Sequence, residues 1–223
     1  KRNAMALPTS RSALIARAAA APFGPCWVSA GLFAEADDEE APALVSIIIT
    51  RRLQGLLLPS LVLVDRTCLG IKSAFQGPLQ AELDIERLAR ELGEQDPLER
   101  AEPLVAQSVI FHALDYARSL GFEPHRDFVP ELIGERPAQL LDTPLARPER
   151  PFYAPGPEDD VARVLARLEA GVGPGGYDFA GPLQWVEDDS DEDWDEDDDA
   201  DVLNVEGSEV LADEASTKST AAR

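Results

Sequence analysis

Apolar positions along this chain change period with position, and the longest regular run is helical. Between Pro103 and Leu120, the residues Val105, Val109, Leu114, Ala117 and Leu120 fall on one side, while Ile110, Phe111 and Ala113 widen the stripe. A helix that is apolar most of the way round belongs in an interior. Pro103 suits a first turn, where its missing N–H costs nothing, and Gly121 suits the left-handed position that closes a helix. The pattern predicts a buried central helix over about residues 103–120.

Upstream the runs are shorter and β-branched. PCWVSAGLF at 25–33 predicts a first strand and LVSIIITRRL at 44–53 a central one, followed by a turn at Gln54-Gly55 and a third strand ending at Asp65. Pro59 cannot donate to a ladder, so it sets the start of that strand at Ser60 and gives it an edge or bulged position. Short links between sequential strands predict an antiparallel meander. The stretch after Asp65 reads as a turn into a short helix, and LQAELDIERLARELGE at 79–94 as an amphipathic surface helix carried by Leu83, Ile85, Leu88 and Leu92. DPLERAEP reads as a linker, and the Pro-rich 129–151 as an ordered loop with one helical turn. GPEDDVARVLARLEAG at 156–171 predicts a helix opened by Pro157 and closed by Gly171, and a short helix spans Ser12–Ala20. The expected class is α+β: a three-stranded antiparallel meander packed against three to four helices. It forms a single domain over 12–182, preceded by a flexible 1–11 and followed by a disordered acidic tail, 183–223.

Charge sharpens that division. The formal net charge is −22; residues 1–186 carry 18 Lys+Arg against 26 Asp+Glu, whereas 187–223 carry 2 against 16. Eleven carboxylates occupy the thirteen positions 187–199, with Trp194 among them. Such a segment is either a solubilising tail or an interaction segment with an aromatic anchor, suited to a protein partner with a basic surface. A body with net charge −8 lacks the concentrated Lys/Arg face that displaces counterions, so direct nucleic-acid binding is disfavoured. The acidic ADDEEAP is a surface loop, because its carboxylates cannot be buried together. No run reaches the ~18 apolar residues of a membrane span. The start of the chain, rich in Arg, Ser and Ala without acids, resembles an organelle transit peptide, although a short helix leading into the domain is the preferred reading. Cys26 and Cys68 fit neither a disulfide framework nor a zinc spacing, so both read as buried thiols of a cytoplasmic protein, with no metal and no cofactor expected.

Candidate chemistry gathers in two places. His112, Asp115, Tyr116 and Ser119 share a helix face, with His125 and Asp127 just beyond it. Either histidine can act as acid or base with Asp115 or Asp127 fixing its tautomer; the stronger alternative is that these groups tie the helix end to the next segment. Asp65, Cys68 and Lys72 can form a nucleophile site with Lys72 lowering the thiol pKa. Against that stands a packed Cys68 and an Asp65 that caps backbone, favoured because cysteine is among the most buried residue types. Three acids at 158–160 argue against a phosphate loop at Gly156-Pro157, and the glycines of 171–176 follow a helix instead of opening one, so they are no dinucleotide fingerprint.

LVLVDRTCLGIKSAF and HALDYARSLGFEPHRDF together resemble a bacterial family whose pattern joins L-V-D-x-x-C-L-G-x-K, A-x-x-Y-A-x-x-L-G-F-x-P-H-x-D-F and a G-P-x-D-D helix start. Asp65, Cys68, Gly70, Lys72, Tyr116, Phe122, His125, Asp127, Asp159 and Asp160 are among the matching positions, over about residues 12–180. The resemblance implies no activity. Some relatives resemble proteins with a C-terminal SEC-C metal-binding motif, whose cysteines are absent here. The meander is also similar to a ribonuclease H-like sheet, yet CWVSAGLF offers no carboxylate for a catalytic Mg²⁺. The leading expectation is an intracellular protein-interaction module using the Arg51/Arg52 hairpin, Tyr116, the 121–151 loop and Trp194 as contacts. A hydrolase or transferase using Asp65, Cys68, Lys72, His112, His125 and Asp127 is the alternative, and a nucleic-acid-associated protein regulated by its tail the third reading.

Overall fold

The computed structural model describes residues 10–33, 43–94, 96–142, 150–157 and 159–181. The first nine residues, the acidic ADDEEAP loop, the domain boundary expected at 182 and the carboxylate-rich end with Trp194 lie outside them. Within them the α+β class holds, but the main sheet has five strands, not three. Strands β1 (Cys26–Ser29), β2 (Leu44–Leu53), β3 (Leu56–Asp65) and β4 (Gly70–Gln76) form a consecutive antiparallel meander, and β5 (Leu98–Ala101) returns beside β1, giving the order β4-β3-β2-β1-β5.

The two added strands were hidden for different physical reasons. β4 stands where a short helix was expected, because residues 66–69 form a tight turn instead. The Asp65 carboxylate accepts from the backbone N–H groups of Thr67 and Cys68, and the chain doubles back onto β3. Its alternation is broken by a β-bulge: Leu63 pairs with Ser73 and Val64 with Ile71, leaving Lys72 as the extra residue. β5 is a short edge strand with Glu99 and Arg100 exposed, so it carries no apolar alternation and reads as a linker. Pro59 lies inside β3, opposite Thr50, which moves the strand start from Ser60 to Leu56. The missing N–H is harmless there because β4 has already given way to Gly77, whose N–H donates to the Pro59 carbonyl.

Register gives the sheet two unlike faces. One cross-strand row runs Ala74, Val62, Ile47, Val28, Glu99; the row on the opposite face runs Phe75, Leu61, Ile48, Trp27, Arg100. Helix α3 (Pro103–Ser119) covers the first face, with Ala106, Val109, Ile110, Ala113 and Leu114 packed on Val28, Ile47, Val62 and Ile71. It begins at Pro103 as expected, and Gly121 follows it at φ +83°. Helix α2 (Glu82–Leu92) crosses the second face and packs through Ile85 and Ala89 onto Trp27, Ile48 and Leu57. Its buried stripe is rotated from the expected one: Leu83 and Leu92 face solvent.

Two smaller layers complete the fold. Helices α1 (Arg11–Ala19) and α4 (Pro130–Ile133) share a cluster in which Ala18 and Leu132 pack on Leu53 and Leu58 of the β2–β3 hairpin. Helix α5 (Val161–Val172) joins Leu168 to Tyr116, Ala117 and Leu120 at the far end of α3. It opens at the Asp160 cap and not at Pro157, and Gly173 closes it in place of Gly171, which is pressed against the Leu120 carbonyl. Strands β6 (Phe152–Tyr153) and β7 (Asp178–Phe179) pair in parallel beside it. Among the described residues no helix is long and apolar enough to cross a membrane.

α3 and the sheet approach closely at Gly70, which has φ +71° and where an added Cβ would lie 2.5 Å from the Ala117 Cβ and 2.9 Å from the Ala113 carbonyl oxygen. Gly70→Ala should therefore destabilise the fold by about 2–4 kcal/mol in urea unfolding, whereas Gly55→Ala, with φ +87° and nothing within 4 Å, should cost about 1 kcal/mol. Equal losses at the two positions would contradict this packing.

Candidate functional site

The residues that carry chemistry converge on a cleft of about 570 Å³ between β4, the segment 122–126 and the start of α5. The bulge makes it: as the residue without a cross-strand partner, Lys72 leaves the ladder and reaches Asp159, with 3.1 Å between Nζ and Oδ2 and about 15% of each side chain exposed. The same carboxylate accepts from the Gly156 N–H at 2.8 Å and the Tyr153 hydroxyl at 3.2 Å. Burial by itself would raise the Asp159 pKa, but the Gly156 N–H, Lys72 and Tyr153 outweigh it and hold the carboxyl below its ordinary range. The Tyr153 phenol moves the other way, pushed up by burial and then by Asp159. Gly156 leaves room for the lysine, since a Cβ there would stand 3.1 Å from Lys72 Nζ and press on it.

The opposite wall hangs on one main-chain bond. The His125 N–H donates to the Ile71 carbonyl at 3.0 Å and so lays the 122–126 segment along the free edge of β4. The Asp127 N–H donates to His125 Nδ1 at 3.3 Å, which leaves the proton of a neutral ring on Nε2. A backbone amide thus fixes the tautomer, a role that the sequence had suggested for a carboxylate; Asp127 Oδ2 is 3.9 Å away and exposed. From α5, Arg163, Val164 and Arg167 face the cleft, with Asp160 accepting from the Arg163 N–H as helix cap.

Of the six residues proposed for catalysis, Lys72 and His125 line this cleft. Asp65 is buried and its Oδ1 is taken up by Thr67 and Cys68 in the β3–β4 turn. Cys68 is fully buried among Tyr116, Tyr153 and Leu168. Its thiol is pushed up to about 12 by burial first and Asp65 second, against a smaller opposite pull from Lys72, so the expected activation by the lysine is overruled. His112 bonds through Nε2 to the Leu141 carbonyl at 3.0 Å, and Asp115 is held by Arg136 through two contacts of 2.9 and 2.6 Å. That polar face of α3 therefore ties down the following loop.

The contact residues expected of the hairpin also part company. Arg51 is 5% exposed; it donates to the Leu132 and Ala21 carbonyls and stacks 3.6 Å from the Phe23 ring centre, pinning α1 and α4 to β2. Tyr116 is buried with its hydroxyl on the Thr67 carbonyl, while Arg52 is exposed and paired with Glu82. Sequence reading overlooked Arg126, Arg163 and Arg167 as site residues and used Asp159 only as one of three acids against a phosphate loop and as a position of the resemblance. The available signal was the four-residue spacing of Arg163 and Arg167, which places them on one face of α5. Among the described residues no group of three or more His, Cys, Asp or Glu side chains is arranged to hold a metal ion.

A second surface lies on the sheet face that α2 only partly covers. Ile48, Leu61, Leu63, Ser73, Phe75 and Leu92 line a recess of about 260 Å³, and Phe75 is 61% exposed. Comparisons with family models, curated proteins and solved structures give no match for the chain, so its own geometry carries the functional reading.

Cys26 is raised to about 11, chiefly by burial, and like Cys68 has no exposed surface. Neither thiol should react with a disulfide-exchange reagent in the folded chain, and both should react in denaturant; one fast native equivalent would restore Cys68 as a nucleophile. Asp159 also gives a pH signature. A carboxyl held low in the folded state contributes stability that is present above the unfolded value of about 3.9 and lost as pH falls through the lower folded value. Asp159→Asn should cost about 1–3 kcal/mol at pH 7 in chemical denaturation, with the gap to the parent chain narrowing as pH falls below the unfolded carboxyl value of about 3.9.

Proposed function

We propose that this chain is a protein-interaction module, and that the partner seats a basic amphipathic helix on the bare part of the sheet. The observation that carries the reading is the cluster of exposed or half-exposed apolar side chains on one face: Leu44, Leu61, Leu63, Phe75 and Leu92. Isolated exposed leucines are ordinary, but contiguous apolar surface around a recess marks a binding face. A helix suits it for geometric reasons. The bare region crosses β2, β3 and β4, which at ~4.8 Å per strand span about 10 Å, close to the diameter of a helix with its side chains. α2 already packs on this face in the same manner.

Charge narrows the partner. The final 37 residues carry 16 acidic side chains against 2 basic ones, so a partner with a basic polar face is attracted and an acidic one repelled. The same excess of carboxylates disfavours nucleic acid as a direct partner. Two free, buried cysteines suit a reducing compartment such as the cytoplasm.

A photo-crosslinking residue placed at Phe75 in the full chain should capture a partner protein through a segment with apolar residues at helical spacing and Lys/Arg opposite them. Phe75→Glu should weaken the isolated pair by about tenfold to a hundredfold, the loss of one buried aromatic side chain, without lowering the melting temperature. Crosslinks confined to copies of the chain itself, or unchanged affinity in the variant, would defeat the proposal.

A further inference from the structure

The cleft beside β4 has a composition that protein docking on the sheet face does not use. We infer that it binds a small organic anion, a carboxylate or phosphate attached to an apolar body, held by Arg163 and Arg167. Its volume, about 570 Å³, is that of a small-ligand pocket.

The argument rests on which charges are already committed. Lys72 is neutralised by Asp159, whose Oδ2 also accepts from the Gly156 N–H and the Tyr153 hydroxyl. Asp160 is engaged as the cap of α5. Asp160 keeps its charge as a cap, so with the Lys72–Asp159 pair cancelled Asp160 and Glu123 stand against the guanidinium groups of Arg126, Arg163 and Arg167, an excess of one positive charge. Arg163 and Arg167 have no carboxylate partner among the described residues, and the nearest to Arg126 is Asp127 at 3.9 Å. One helical turn separates Arg163 from Arg167, so both present their forks on the same side of α5, and Arg167 is steadied 6.0 Å over the Phe122 ring. Two guanidinium groups presented from one wall match the paired oxygens of a carboxylate or phosphate better than a point charge would.

Size follows from the field around the site. Residues 1–186 carry a net −8, so a polyanion is repelled from the molecule while a small anion reaches the local positive focus. The apolar half of the cleft, formed by Leu69, Ile71, Phe122, Pro124 and Val164, asks for a hydrocarbon or aromatic body on the ligand. The Lys72–Asp159 pair ties β4 to the segment that enters α5 before anything binds.

Titration of the full chain with phenyl phosphate, benzoate and phenol at low ionic strength, followed by amide chemical shifts, tests this directly. Both anions should shift amides in 122–126 and 160–168, phenol should bind at least tenfold more weakly, and the ranking of the two anions identifies the preferred headgroup. Arg163→Ala/Arg167→Ala, two exposed positions, should weaken the tighter anion roughly tenfold or more with the melting temperature unchanged, whereas Arg87→Ala on α2 should leave binding as it was. Shifts scattered over the surface, equal binding of phenol, or equal losses in the α2 variant would overturn the inference. Because the probes carry no helix and the readout is confined to the cleft, failure here leaves the sheet-face proposal standing.

Discussion

The structure depends on one helix serving two interiors. The first three turns of α3 lie on the sheet through Ala106, Val109, Ile110 and Ala113, and its last turns pack Tyr116, Ala117 and Leu120 against Cys68, Tyr153 and Leu168. Burial on both counts explains why the helix is apolar nearly all round, and why its buried polar side chains each have a committed partner. Gln107 donates to the Ile133 carbonyl, Ser108 to the Leu104 carbonyl, and Tyr116 to the Thr67 carbonyl. Leaving any of these unpaired in such surroundings would cost more than the bond is worth in water.

That dual contact decides where everything else sits. Gly70 lets β4 approach Ala117 so closely that the β3–β4 turn, carrying Cys68, is buried beneath the helix end. With the turn fixed, Thr67 accepts the Phe152 N–H, which brings Tyr153 and then Asp159 over β4. The cleft is therefore a by-product of how α3 meets the sheet. Its chemistry is set by residues from three separated stretches that this meeting brings together. On the other side of the sheet nothing comparable occurs: α2 is shorter, buries only Ile85 and Ala89 fully, and leaves Leu61 and Leu63 half-buried and Phe75 exposed.

What the sequence revealed, and what it concealed, follows from whether the deciding forces are local. α3, β2 and the Gln54-Gly55 hairpin were legible because period, β-branching and capping residues all act within a few positions; Gln54 and Gly55 indeed carry the positive φ values, +51° and +87°. α5 was legible in kind but not in its ends, since Gly171 is explained by contact with Leu120 and not by closing a helix. β4 and β5 were missed because one has a bulge and the other is an edge, and each is held by pairing with a distant strand. For the cleft, Lys72 and His125 stood out by residue type. Arg163 and Arg167 look like any solvated face until the 122–126 segment is seen opposite them. Arg51 shows the reverse error: two adjacent arginines in a hairpin suggest a contact surface, whereas strand alternation turns one of them inward onto main-chain carbonyls.

The bulge in β4 reconciles the two surfaces. Under strict alternation, Ile71, Ser73 and Phe75 would share one face, and a strand that exposed Phe75 would expose Ile71 with it. The extra residue shifts the phase by one, so Ile71 pairs with Val64 and stays in the interior while Ser73 and Phe75 remain outside. The residue inserted to make that shift has no place in the ladder, and a long cationic side chain there can reach a carboxylate beyond the strand edge. An apolar residue at 72 would be left against the polar cleft, and a short one would leave Asp159 without its cation. Lysine satisfies the bulge, the edge and the buried carboxylate together. The main-chain bond from His125 to Ile71 then covers part of the strand edge that would otherwise be open to pairing with another chain.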